Sequence, residues 1–198
     1  RWPDELAYAA GELLGRELQA SRAGYGPLNT DADTIILGRN YSAPGMRNLG
    51  GAFPLRDYGS FIDELKRGDA VVINDTATDP RTRDNSAALE GVNVRSLVNI
   101  PVTEQGGLVA MLYVNTASPR IWNEEEIAFL REVADRIRTA IERRRAEEAV
   151  RQNAARLAFL DALGRETARN KDADAVLDVT TRMLGAFLGA SICAYADM

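Results

Sequence analysis

The chain has 198 residues, of which 45% are hydrophobic and 27% charged, and a formal charge of −5. This is an ordinary soluble globular composition with no basic field for a phosphate backbone or an anionic lipid surface. There is no histidine, and Cys193 is the one cysteine; a Ser-His-Asp triad and an intramolecular disulfide are excluded, and a reducing cytoplasm is expected.

Residues 3–18 read as an amphipathic helix with Leu6, Ala10, Leu13, Leu14 and Leu18 on one face. Strands are predicted over 20–27 and 33–41, joined by the polar tip Asn29-Thr30-Asp31-Ala32. Calcium binding by Asp31 and Asp33 is disfavoured, because the loop glycine and distal glutamate are missing. The stretch 42–59 is rich in Gly and Pro and reads as a long functional connection. Ser60 with Asp63 predicts a capped helix over 61–67, stopped by Gly68.

A buried strand is expected over 70–74, then an irregular stretch, 75–93, with one helical turn near 87–90. Residues 96–102 and 108–115 form a predicted hairpin around Glu104-Gln105-Gly106-Gly107. Both alternating sets in Leu108–Val114 are largely apolar, so that strand is covered on both faces. The run is a strand's length, far short of the ~20 residues that span a bilayer. Pro101 cannot donate to a ladder and predicts a bend or bulge at that point. Gly24-Tyr25-Gly26 and Gly50-Gly51 fit neither dinucleotide nor phosphate-loop spacing.

Trp122-Asn123-Glu124-Glu125-Glu126-Ile127 is a helix start with a capping box. Ile127, Leu130, Ala134, Ile137 and Ile141 then step by three and four, predicting a parallel homodimer seam. It breaks at Arg143-Arg144-Arg145 and resumes out of phase with Val150, Asn153, Leu157 and Leu160. Leu14-Gly15, Leu18, Ala20-Ser21 and Tyr25 recur as Leu184-Gly185, Leu188, Ala190-Ser191 and Tyr195, at a constant offset of 170 residues. A repeat of that length predicts tandem domains. The expected division is a domain body over 1–122, a closing helix and coiled-coil-like signalling connector over 123–170, and the truncated start of a second domain over 171–198.

This order of elements resembles the GAF domain of bacterial sensor proteins. Val71-Val72-Ile73-Asn74-Asp75 with Asp79-Pro80-Arg81 resembles the family's third-strand motif. Gly91-Val92-Asn93-Val94-Arg95-Ser96 running into Ile100-Pro101-Val102 looks like the strand on the ligand side. Pro119-Arg120-Ile121-Trp122-Asn123-Glu124-Glu125-Glu126 resembles the start of the closing helix in sensor histidine kinases. The resemblance covers most of 4–150, and 173–198 for the second copy. It implies an α+β fold: a central antiparallel sheet, terminal helices on one face in a dimer bundle, and a ligand pocket under loops on the other.

On that reading Phe53, Leu55, Tyr58, Phe61, Val98, Ile100, Met111 and Tyr113 wall the pocket, while Asp75, Thr76, Arg81, Arg95 and Ser96 supply polar contacts. The same aromatics also suit a plain core, and the same arginines suit surface pairs. No cofactor is expected: covalent bilin attachment needs a pocket cysteine, which 1–150 lacks, and haem normally needs an axial histidine. The cyclic-nucleotide string of the family is missing, as are the redox cysteines of the methionine-sulfoxide reductases built on this fold. No metal ligand set and no catalytic residue is identified, so the fragment is expected not to be an enzyme. Expected partners are a small molecule, a second copy of the chain and a kinase or cyclase domain in the same protein; nucleic acid and direct membrane contact are not. A ligand-free dimerisation and relay module is the alternative.

Overall fold

A computed structural model describes residues 2–169 and 172–194. The chain divides into two units, residues 1–141 and 142–198. Tyr195, the last match of the internal repeat, and the expected boundary at 170–171 lie outside the described residues.

The first unit opens with α1 (Trp2–Glu17) and continues into β1 (Arg22–Asn29), β2 (Thr34–Leu37), β3 (Tyr41–Ser42) and β4 (Gly51–Pro54). A 3₁₀ turn, Leu55–Tyr58, leads to α2 (Ile62–Lys66) and β5 (Val71–Ile73). A second 3₁₀ turn, Arg83–Asn85, precedes α3 (Ser86–Gly91), the hairpin β6 (Ser96–Glu104) and β7 (Gly107–Thr116), and α4 (Glu124–Ala168). The strands form one antiparallel sheet in the order β4-β2-β1-β7-β6-β5, with β3 alongside β1. The expected α+β architecture is present.

Alternation along the central strands assigns the two faces. Val98, Ile100, Val102, Ala110, Leu112 and Val114 pack with Leu14 of α1, with Leu18 just beyond its end, and with Leu130, Ala134, Ile137 and Ile141 of α4. Leu97, Met111 and Tyr113 point the other way, into a second core with Leu55, Phe61, Ile62, Leu65 and Leu89.

Local chemistry explains the best-predicted points. Asn123 Oδ1 accepts from the Glu126 amide at 2.8 Å, and Glu126 Oε2 accepts from the Asn123 amide at 3.0 Å, a reciprocal capping box. The hairpin turns on Gln105 and Gly106, with φ of 50° and 82°, the handedness that matches strand twist.

Four expectations are corrected. Leu130, Ala134, Ile137 and Ile141 do not form a free dimer seam, because they are buried within their own unit; Ile127 packs partly buried against the same cluster. A helix lying on a sheet needs the same three-and-four stripe that a coiled coil does. The stretch 42–59 holds β4, which pairs with β2 from Thr34↔Pro54 to Leu37↔Gly51. Ser60 does not cap α2 with its side chain; only its carbonyl accepts from the Asp63 amide. The hairpin irregularity falls between Val102 and Thr103, since Pro101 itself stays in register with Met111.

In the second unit the remainder of α4 runs to Ala168, and α5 (Ala173–Leu188) follows, capped by Asp172 on the Ala175 amide. Phe159 stacks on Phe187 at 4.3 Å between ring centroids. Gly189, with φ of 62°, closes α5, and the Ala190 amide donates to Gly185 O at 3.0 Å. One repeat earlier, Gln19 has φ of 48° and the Ala20 amide donates to Gly15 O at 2.9 Å. The helix-ending geometry is therefore repeated at the sequence offset.

Candidate ligand cavity

The cavity lies on the sheet face turned away from the terminal helices and starts with β1. Ala23 faces the helix-side core, so alternation turns Arg22, Gly24 and Gly26 to the other side. A Cβ at Gly24 would sit 2.6 Å from the Tyr113 hydroxyl, and one at Gly26 would sit 2.9 Å from an Ile35 side-chain carbon. These glycines make room for neighbouring side chains to lie across the strand.

Two rows of residues follow from the register. Arg22 faces Asn115 and Asn115 faces Leu97; Gly24 faces Tyr113 and Tyr113 faces Asn99. Over these rows lies a cavity of about 90 Å³ that is open to solvent. Phe53, Leu55, Tyr58, Phe61, Met111 and Tyr113 are among the residues that line it. Its other walls were not anticipated: Ile35 and Leu37 from β2, Leu49, Leu89 and Val92 from the loops, and Leu97, Asn99 and Asn115 from the hairpin.

Val98 and Ile100 are corrected to the opposite face, where they pack with the terminal helices. The five polar candidates are occupied in holding loops rather than lining the cavity. Arg95 donates to Asp75 at 2.8 Å. The Thr76 hydroxyl donates to Val94 O at 3.1 Å, and Ser96 Oγ accepts from Trp122 Nε1 at 2.6 Å. Arg81 donates to both Asp79 oxygens, at 2.9 and 2.8 Å, to Glu64 at 2.9 Å and to Val72 O at 2.7 Å. It thereby ties the turn after β5 to α2 and to β5 itself. Asp33 is likewise paired, with Lys66 and Arg56.

Hydrogen bonds from Arg81 hold the Asp79 carboxyl below the ordinary carboxylate range. Its folded value lies below its unfolded one, so its contribution is full above about pH 4 and is lost as pH falls through the lowered value. Urea midpoints measured from pH 5 to pH 2 are expected to fall for the natural sequence. They should fall less steeply for Asp79→Asn, which starts lower; parallel curves would exclude Asp79 as a contributor.

Arg22 is 1% exposed. Its Nε donates to Arg47 O at 2.9 Å and its Nη1 to Val92 O at 2.8 Å. Desolvation lowers its pKa, and among the described residues no carboxylate pairs with it. Burial also pushes the Tyr113 hydroxyl pKa upward, so the phenol stays protonated. Sequence reasoning missed Arg22 and both asparagines. A charged residue at the start of a strand beginning Arg-Ala-Gly-Tyr-Gly, and Asn99 and Asn115 inside otherwise apolar strands, were the available signals.

The GAF domain family matches residues 3–141, and the chain belongs to that family, whose members are typically sensory modules that bind small molecules. Among curated proteins none matches the chain. The fold is shared with the blue-light absorbing form of the Thermosynechococcus elongatus PixJ GAF domain at 18% identity, covering 76% of this chain and 91% of that one, TM-score 0.65. A phycocyanobilin-bound GAF domain from a cyanobacterial phytochrome is similar at 19% identity, covering 73% and 87%, TM-score 0.64. Free methionine-R-sulfoxide reductase from Neisseria meningitidis, in complex with its substrate, is similar at 18% identity, covering 74% and 81%, TM-score 0.59.

The expectation of no cofactor is corrected by these likenesses, since a bilin-bound GAF domain stands among the folds most like this one. A missing cysteine was too narrow a ground for dropping the class. In the conformation described, the cavity is smaller than the ~300–1,000 Å³ of pockets for drug-sized ligands, so the loops would have to open for a tetrapyrrole. Residues 1–141 contain no cysteine, and this unit would have to hold such a group without a thioether. Among the described residues no helix is long and apolar enough to cross a membrane.

Proposed function

We propose that residues 1–141 are the sensory part of a bacterial signal-transduction protein of the sensor histidine kinase type, binding a small molecule and passing its presence to α4. The observation that carries this reading is the placement of the cavity. Met111 and Tyr113 line it, while Leu112 and Val114 on the same strand pack on the helix side. A ligand that shifts β6 and β7 therefore acts on the helix that leaves the unit. It switches the output only by binding one helix arrangement more tightly, about 1.4 kcal/mol for each tenfold shift.

The unit itself acts by binding, with catalysis supplied by a kinase or cyclase domain elsewhere in the same cytoplasmic protein. Homodimerisation is assigned to the connector rather than to the buried stripe. Val150, Leu157 and Leu160 are 69%, 66% and 49% exposed, and Asn153 lies in their three-and-four spacing. A polar residue in such a seam can set its register. Residues 172–194 are read as the opening of a second GAF copy, supported by the repeated helix-ending geometry. The ligand-free relay alternative draws its support from the small volume of the cavity.

The test is thermal stability of the protein against amino acids, small organic acids, cyclic nucleotides and bilins, beside a Leu37→Trp variant that enlarges a side chain lining the cavity. A ligand at 100 times its dissociation constant should add ~2.7 kcal/mol. Stabilisation lost in the variant supports the sensor. No stabilisation by any compound, in a folded and dimeric protein, supports the relay.

A further inference from the structure

We propose that the cavity takes a small uncharged carboxamide. Its amide edge is held by Asn115, with Asn99 and Tyr113 beside it, and its apolar remainder lies against Leu97, Met111 and Phe61. This assignment rests on the cavity being the ligand site. The register of the hairpin gathers the polar side chains: Asn115 faces Leu97, Tyr113 faces Asn99, and all four residues line the cavity. Residues diagonal to one another across such pairs lie ~7–8 Å apart, within the span of one small molecule. Asn115 is 8% exposed, and its Oδ1 is buried without a hydrogen-bond partner. A buried acceptor of this kind calls for a donor.

The charge of the walls is a second, independent observation. Among the described residues that line the cavity none is Asp, Glu, Lys or Arg. Arg22 stands opposite Asn115 in the register but does not line the cavity, and its Nε and Nη1 donate to the carbonyls of Arg47 and Val92. An ion entering here would leave water with no opposite charge on the walls to meet it, so a neutral ligand is selected. The asparagine amide offers an acceptor oxygen and a donor nitrogen side by side. A carboxamide presents the complementary pair on one edge, and a ketone or ester of the same shape lacks the donor. The volume of about 90 Å³ is below the ~150 Å³ that holds a benzene ring. The enclosed part of the ligand is therefore limited to a few heavy atoms.

The experiment follows backbone and asparagine side-chain amide resonances of the whole chain during titration. The probes are butanamide, butanoate and 2-pentanone, three molecules of nearly one shape. Butanamide is expected to move the side-chain resonances of Asn115 and the backbone resonances of Leu97 and Tyr113. It should bind at least ~5-fold more tightly than either of the others. In Asn115→Leu the advantage of the amide over the ketone should vanish; the comparison within the unaltered protein holds even if that variant fails to fold. Equal or tighter binding of 2-pentanone overturns the proposal, because the donor then counts for nothing. Equal or tighter binding of butanoate overturns it in favour of an anion, and in both cases the cavity remains a ligand site. Shifts confined to other parts of the chain overturn the placement at Asn115. If none of the three binds but another compound stabilises the protein, the ligand class is wrong and the sensor reading survives; if nothing binds, both fall.

Discussion

Ile137→Glu is expected to unfold the first unit. Ile137 is 3% exposed and lies in the core formed by α1, α4 and the sheet. The change removes a buried side chain, worth about 2–5 kcal/mol in comparable truncations, and puts an unpaired carboxylate in its place. Total stability of a domain is only ~5–15 kcal/mol, so most of it should go. Near-ultraviolet circular dichroism and urea titration should show lost packing and a collapsed midpoint. Leu157→Glu, at an exposed position of the connector, should leave that midpoint unchanged and weaken self-association in light scattering. A folded Ile137→Glu protein of unchanged stability would contradict the assignment of this stripe to the core.

The second large effect is expected at Gly59, which joins the first 3₁₀ turn to α2. Its φ is 142°, and an added Cβ would lie 2.3 Å from the carbonyl oxygen of Arg81. That oxygen also accepts from the Ser60 amide at 2.9 Å, so it cannot retreat without losing a bond. Backbone strain of about 1–3 kcal/mol adds to the clash, and Gly59→Ala should lose roughly 2–4 kcal/mol in urea unfolding. Gly45→Ala is the control: its φ is 82°, but nothing lies within 4 Å of the added carbon. It should lose about 1 kcal/mol. Equal losses at the two positions would show that strain alone, not the Arg81 contact, sets the cost.

The contrast between these positions and the predicted ones shows where sequence reading stops. The Asn123–Glu126 capping box and the Gln105-Gly106 turn were legible because the deciding groups are three residues apart or fewer. The role of the Ile127–Ile141 stripe was not, since its spacing serves a sheet-packed helix and a dimer seam equally. Val98 and Ile100 were placed on the wrong face because both sides of β6 are apolar; Asn99 in the alternate set marked the cavity side. β4 was hidden by its Gly and Pro content and exists through its register with β2. Arg81 and Arg95 looked like ligand contacts, but Arg81 also holds Glu64 and the Val72 carbonyl, seventeen and nine residues away, and Arg95 pairs with Asp75, twenty residues away. Arg22 could be recognised only once Arg47, Val92 and Asn115 were brought around it.

The central claim, that the cavity is a ligand site coupled to α4, is tested most directly by hydrogen exchange with and without the best stabilising compound of the panel. Added protection in β6, β7 and residues 124–141 of α4, absent in Leu37→Trp, is the predicted result. Protection confined to the loops over the cavity, with α4 unchanged, would contradict the coupling, and identical protection in the Leu37→Trp variant would contradict the site.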